Sequence, residues 1–135
     1  MAKINNEMRT LLEETDLWVL ATADSNGIPN AVPILFVKLM DNNSLLLVDN
    51  FMKKTVDNIG INPNVAISVW KDLTGYQFKG KAKIETSGPN FETGKKVKKV
   101  VQAKEPKLTP KGIVLVDIDS IYITSPGPDA GNKVR

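Results

Sequence analysis

The 135-residue chain contains neither cysteine nor histidine. The first absence excludes disulfides, thiolate nucleophiles and cysteine-ligated metal sites, and it suits a reducing compartment. The second excludes an imidazole base, a Ser-His-Asp triad, a histidine-dependent zinc centre and a histidine-ligated haem. Arginine is confined to Arg9 and Arg135. No apolar run approaches the ~20 residues that a membrane-spanning helix needs. The opening Met1-Ala2-Lys3-Ile4-Asn5-Asn6 lacks the apolar core of a signal peptide, so a cytoplasmic location is expected. A formal charge of +3 is too small to indicate nucleic acid by itself. What remains for chemistry is carboxylates, lysines, tyrosines and hydroxyls, or a borrowed cofactor.

The length suits one domain over residues 1–135, with enough chain to bury a real core. Asn5 and Asn6 cap a short helix carrying Met8, Leu11 and Leu12 on one face and stopping near Thr15. A strand follows over residues 17–23, then a turn at Asp24-Ser25-Asn26-Gly27, whose Asn-Gly pair tolerates positive φ. The second strand runs from Pro29 to Met40, with Pro29 and Pro33 indicating a sheet edge or bulge. Leu45 to Val48 is the third, and the three form an antiparallel meander. A helix over 53–61 precedes a strand over 64–71, in which Val65, Ile67 and Val69 alternate with Ala66, Ser68 and Trp70.

Gly80 interrupts the next strand, Tyr76 to Thr86, and predicts a bulge or a close backbone approach. A basic helix then runs from Ser87 to about Lys104, burying Phe91, Val97, Val100 and Val101, and the last strand is Gly112 to Thr124. Six strands and three short helices, mostly joined by tight turns, point to a mainly β, closed or half-closed antiparallel barrel. A two-sheet sandwich is the alternative.

One stretch stands out chemically: Leu45-Leu46-Leu47-Val48-Asp49-Asn50-Phe51-Met52-Lys53-Lys54-Thr55. A buried strand ends in a short turn, and two ammonium groups and a hydroxyl converge where a helix begins. Free backbone N–H groups at that point complete a phosphate site. The competing reading is a solvated lysine pair opening a surface helix. Trp18, Trp70, Tyr76 and Tyr122 read as structural, with Trp18 and Trp70 expected in the core. Asp117 and Asp119 share one strand face without an identifiable partner in a cleft.

The order of these motifs resembles the pyridoxamine 5'-phosphate oxidase-like FMN-binding split barrels, particularly the minimal FMN-binding members. The resemblance runs from about Leu11 to Thr124. It rests on Ala21-Thr22-Ala23 with the Gly27 turn, Val32-Pro33-Ile34, the Lys53-Lys54-Thr55 element and Tyr76-Gln77-Phe78-Lys79-Gly80-Lys81-Ala82. It implies a six-stranded split barrel whose FMN phosphate is held by Lys53, Lys54 and Thr55. Val32, Pro33 and Ile34 would line the ring and ribityl chain, with Val48, Asp49 and Asn50 completing the wall. The pocket would lie at a homodimer interface, with Gln77 and Lys79 near it and Ser125-Pro126-Gly127 close to the ring. The implied function is electron transfer or flavin-dependent oxidoreduction. With so few arginines, the oxidase's own vitamin B6 substrate is not expected. Three other functions stay open: a deazaflavin on the same fold, a nucleic-acid-binding barrel using Lys53, Lys54, Lys79, Lys81, Lys83 and the lysines at 95–99, and a non-catalytic interaction module.

Overall fold

The computed structural model describes residues 3–97 and 108–134. Asn5 caps helix α1 (Asn6–Glu14), its Oδ1 accepting from the Met8 amide at 2.9 Å. Met8, Leu11 and Leu12 face the core, and Thr15 ends the helix in extended backbone. Seven strands follow: β1 (Trp18–Ala23), β2 (Pro29–Ile34), β3 (Val37–Leu39), β4 (Leu45–Asp49), β5 (Asn64–Lys71), β6 (Thr74–Glu85) and β7 (Gly112–Ile123). Helix α2 (Lys54–Ile61) connects β4 to β5, and α3 (Pro89–Lys95) lies between β6 and β7.

The strands form one antiparallel sheet in the order β2-β1-β5-β6-β7-β4-β3. The strand expected from Pro29 to Met40 is therefore two. Its first half pairs with β1 and its second half with β4, at opposite edges of the sheet. The break falls at Leu35-Phe36, so there are seven strands rather than six. The cause is geometric: one straight strand cannot serve both edges, so the sheet curls and the chain bends between them. A hydrogen bond from the Val48 amide to the Phe36 carbonyl at 2.9 Å fixes the bend. The result is a split half-barrel with its edges joined by two residues of chain. Pro29 and Pro33 lie on edge strand β2, where a missing N–H costs least.

The interior is filled by Trp18, Leu20, Leu45, Leu47, Ile67, Phe78, Val114 and Ile121, among others. Each large side chain so buried contributes about 1.5–3 kcal/mol. Strand β4 is buried on both faces, because Leu46 and Val48 join Phe36, Ile113 and Leu115 in a second cluster under Phe91 and Val97. Gly80 is the expected bulge: the β6–β7 register shifts at Lys79/Gly80, and a Cβ there would lie 2.0 Å from the Asp117 carbonyl oxygen. Two expectations change. Trp70 is 51% exposed on the outer face, as its alternation with Val69 requires, whereas Trp18 is in the core. The basic helix ends at Lys95, and its expected continuation from Lys98, including Val100 and Val101, lies outside the described residues.

Candidate functional site

A cleft of about 430 Å³ opens where β4 leaves the sheet and α2 begins. Asn30, Val32, Pro33 and Ile34 of β2 form one wall, and the bend contributes Leu35 and Phe36. Val48 and the turn from Asn50 to Thr55 form the other, with Leu108 closing one side. The lining is mostly apolar, and the volume falls within the range of small-molecule and cofactor sites.

The polar groups concentrate at one end. Lys53 precedes α2 with φ −129° and ψ −80°, and no side chain caps that helix. Its first N–H groups are thus free for an anion, and the helix dipole favours one there. Lys53 and Lys54 are exposed and make no ion pair among the described residues. Thr55 is 3% exposed, and its hydroxyl accepts from Asn30 Nδ2 at 3.2 Å. The same nitrogen lies 3.3 Å from the Thr22 hydroxyl, which also accepts from Asn58 Nδ2 at 3.0 Å. This buried polar chain ties β1, β2 and α2 together beneath the lysines. Asn50 adds a second feature: its Oδ1 is shielded from solvent and has no hydrogen-bond partner among the described residues. Leaving such an acceptor unpaired costs about 1–3 kcal/mol, a cost that a ligand donor at this wall would offset.

Of the residues expected at a cofactor site, Val32, Pro33, Ile34, Val48, Asn50, Lys53, Lys54 and Thr55 all line this cleft. Asp49 does not. Its buried carboxylate instead accepts from the Met52 amide at 2.9 Å and lies 3.7 Å from the Lys111 ammonium, so it builds the turn. Gln77 and Lys79 are also outside, because the alternation of β6 puts them on its outer face opposite buried Tyr76 and Phe78. Ser125 and Pro126 line a different, smaller cleft of about 220 Å³ beside Trp70. Sequence reasoning missed Asn30, Leu35, Phe36, Phe51, Met52 and Leu108 as lining residues. Asn30 carried a signal, as a polar residue between apolar ones on an edge strand; Leu108 carried none, since tertiary folding alone brings it there.

The other cationic residues are largely engaged. Lys79 sits over the Tyr122 ring at 5.2 Å, Lys81 donates to Asn64 Oδ1, and Lys83 pairs with Glu85 at 3.4 Å. Lys95 pairs with Glu92 at 3.1 Å, and Lys98 and Lys99 are outside the described residues. Tyr76 donates to Glu7 Oε1; burial first, then that hydrogen bond and the carboxylate's charge, push its phenol up to about 12. Among the described residues no cluster of acidic side chains could hold a metal ion, and no helix is long and apolar enough to cross a membrane.

The family model of pyridoxamine 5'-phosphate oxidase matches residues 4–125. The chain belongs to that family. An uncharacterized protein of Methanocaldococcus jannaschii is 37% identical over 138 residues, covering 99% of this chain and 89% of that protein. The HupZ protein of Group A Streptococcus superposes with a TM-score of 0.78 at 28% identity, covering 96% of this chain and 100% of that one. An FMN-binding protein from Syntrophomonas wolfei superposes with a TM-score of 0.75, covering 88% and 84%. At 18% identity it shares the fold alone. In this member of the pyridoxamine 5'-phosphate oxidase family, the residues present fit a phosphate-tailed planar cofactor. Cations and a free helix start lie at one end of the cleft, apolar walls flank it, and an unpaired amide oxygen belongs to the turn.

Proposed function

We propose that this protein binds FMN in the cleft and acts in electron transfer or flavin-dependent oxidoreduction. The observation that carries the reading is the pair of unpaired lysines at an uncapped helix start, set at the end of an apolar cleft. A flavin, when bound, supplies hydride or single-electron transfer through its own ring, which suits a chain without histidine or cysteine. Lys53 and Lys54 would hold the phosphate through charge-assisted hydrogen bonds of about 1.5–3 kcal/mol each. Thr55, already an acceptor for Asn30, keeps its hydroxyl proton to donate. Val32, Pro33, Ile34, Phe36 and Val48 would exclude water from the ring, and Asn50 would accept from a ring N–H. No side chain of the chain itself is assigned a catalytic role.

We further infer a cytoplasmic homodimer. Ala21, Ala31, Ala66 and Ser68 lie on the outer face of β1, β2 and β5, beside Gln77 and Lys79 of β6. A second subunit packed on these small side chains is the one route by which Gln77 and Lys79 would approach a cleft. A phosphorylated deazaflavin also presents an anionic phosphate to such a helix start, so it is the second reading of the same geometry. The nucleic-acid reading is less supported, because Lys79, Lys81 and Lys83 already have partners.

Purified protein is expected to be yellow, with a flavin absorption spectrum, or to develop one when FMN is added. Fluorescence of the released cofactor separates FMN from a deazaflavin, and light scattering gives the subunit number. Colourless protein whose spectrum is unchanged in an FMN titration would end the proposal.

A further inference from the structure

Lys111 was no part of the sequence-level site, yet it touches the turn at both ends. Its ammonium donates to the Met52 carbonyl at 2.9 Å and lies 3.7 Å from Asp49 Oδ1. Its own backbone N–H donates to the Asp49 carbonyl at 2.8 Å, extending the β4–β7 ladder by one bond. Asp49 Oδ1 in turn accepts from the Met52 amide at 2.9 Å. The chain from Asp49 to Met52 is therefore closed into a ring by one carboxylate and one ammonium, with Asn50 and Phe51 between the tied ends. Phe51 is 76% exposed and Asn50 keeps an unpaired oxygen, so neither side chain secures the turn by its own contacts. Lys53 follows directly, and its conformation sets where α2 begins.

We infer that Lys111 is the positioning residue of the cleft: it fixes the 49–52 turn and thereby the placement of Asn50, Lys53 and Lys54. The consequence for cofactor affinity rests on the FMN reading above; the consequence for the turn does not. A preformed turn spares the ligand the ordering cost of four residues, and losing the clamp returns that cost to binding. Lys111 acts across the fold, from the start of the last strand, and touches no part of the lysine pair itself.

The test uses Lys111→Met, which keeps the aliphatic stem and removes the charge, and Lys111→Arg, which restores a donor able to bridge a carboxylate and a carbonyl. Two readouts are taken on the full chain: amide hydrogen exchange of Met52 in the apoprotein, and the Kd for FMN. Lys111→Met is expected to speed Met52 exchange and to raise the Kd, each by about tenfold, with Lys111→Arg recovering most of both. Lys111→Met leaves a buried carboxylate without its cation, so the pair Asp49→Asn/Lys111→Met is run beside it; asparagine keeps an acceptor for the Met52 amide. The double variant is expected to show the same two losses. Unchanged exchange in the double variant overturns the clamp. Faster exchange with an unchanged Kd overturns its role in the site. If wild type binds no FMN, the cofactor reading fails, while Met52 exchange still decides whether Lys111 holds the turn.

Discussion

Lys54→Ala, alone and combined with Lys53→Ala, removes first one and then two ammonium groups from the end of the cleft. Neither lysine has an ion-pair partner among the described residues, so the apoprotein should stay within about 0.5 kcal/mol of wild type. The effect on a phosphate-bearing ligand is larger. Both side chains are exposed, which places each contact near the low end for charge-assisted bonds, about 1.5 kcal/mol. That corresponds to about a tenfold rise in Kd for the single variant. Adjacent charges on one phosphate are not additive, so the double variant should lose roughly 30- to 100-fold. The assay is a flavin fluorescence titration with FMN and, in parallel, riboflavin, which has the same ring and no phosphate. The variants should weaken FMN and leave riboflavin nearly unchanged, and added salt should weaken FMN binding more in wild type than in the double variant. Equal losses for the two ligands, or FMN affinity within about twofold of wild type, would refute a phosphate site at these residues.

Three other outcomes follow from particular contacts. Gly80→Ala places a Cβ 2.0 Å from the Asp117 carbonyl oxygen and 3.1 Å from Ile118 Cα, so it should cost at least about 3 kcal/mol and lower Tm by more than about 10 °C; a Tm within a few degrees of wild type would contradict the bulge geometry. Tyr76 is pushed up to about 12 in the fold, from about 10 when unfolded, so its neutral form is favoured by folding. That contribution is complete below pH ~10 and is lost as pH rises towards ~12, a decline of about 2 kcal/mol that Tyr76→Phe should abolish in urea midpoints compared across that window. Asn50→Ala removes an unpaired buried oxygen, so it should leave the apoprotein as stable or up to about 1 kcal/mol more stable while weakening FMN; a clear loss of apoprotein stability would mean that the oxygen has a partner after all.

Much of the local structure was legible from residues close together in the chain. Asn5 caps α1 as its position predicts. The turn at residues 24–27 forms as the Asn26-Gly27 pair requires, with Gly27 at φ +78° and Asp24 Oδ1 accepting from the Asn26 and Ile28 amides at 2.9 Å. Gly80 marks the bulge, and Lys53, Lys54 and Thr55 meet at one helix start. Each of these signals acts over a few residues, through φ preferences, capping and alternation, so the order of residues carries it directly.

The sequence alone thus determined the mainly β character, the positions of α1, α2 and the 24–27 turn, the exclusion of histidine and cysteine chemistry, and the meeting of Lys53, Lys54 and Thr55 at a helix start, while the family resemblance added Val32, Pro33, Ile34, Val48 and Asn50 on the cleft wall. Tertiary structure decided that one expected strand is two, that Trp70 faces outward, that Asp49 serves the turn, that Lys111 reaches that turn from just before β7, and that Leu108 lines the cleft. The reason is closure. Curling a sheet until its edges meet brings together residues dozens of positions apart, and no local preference records which edge a strand will find.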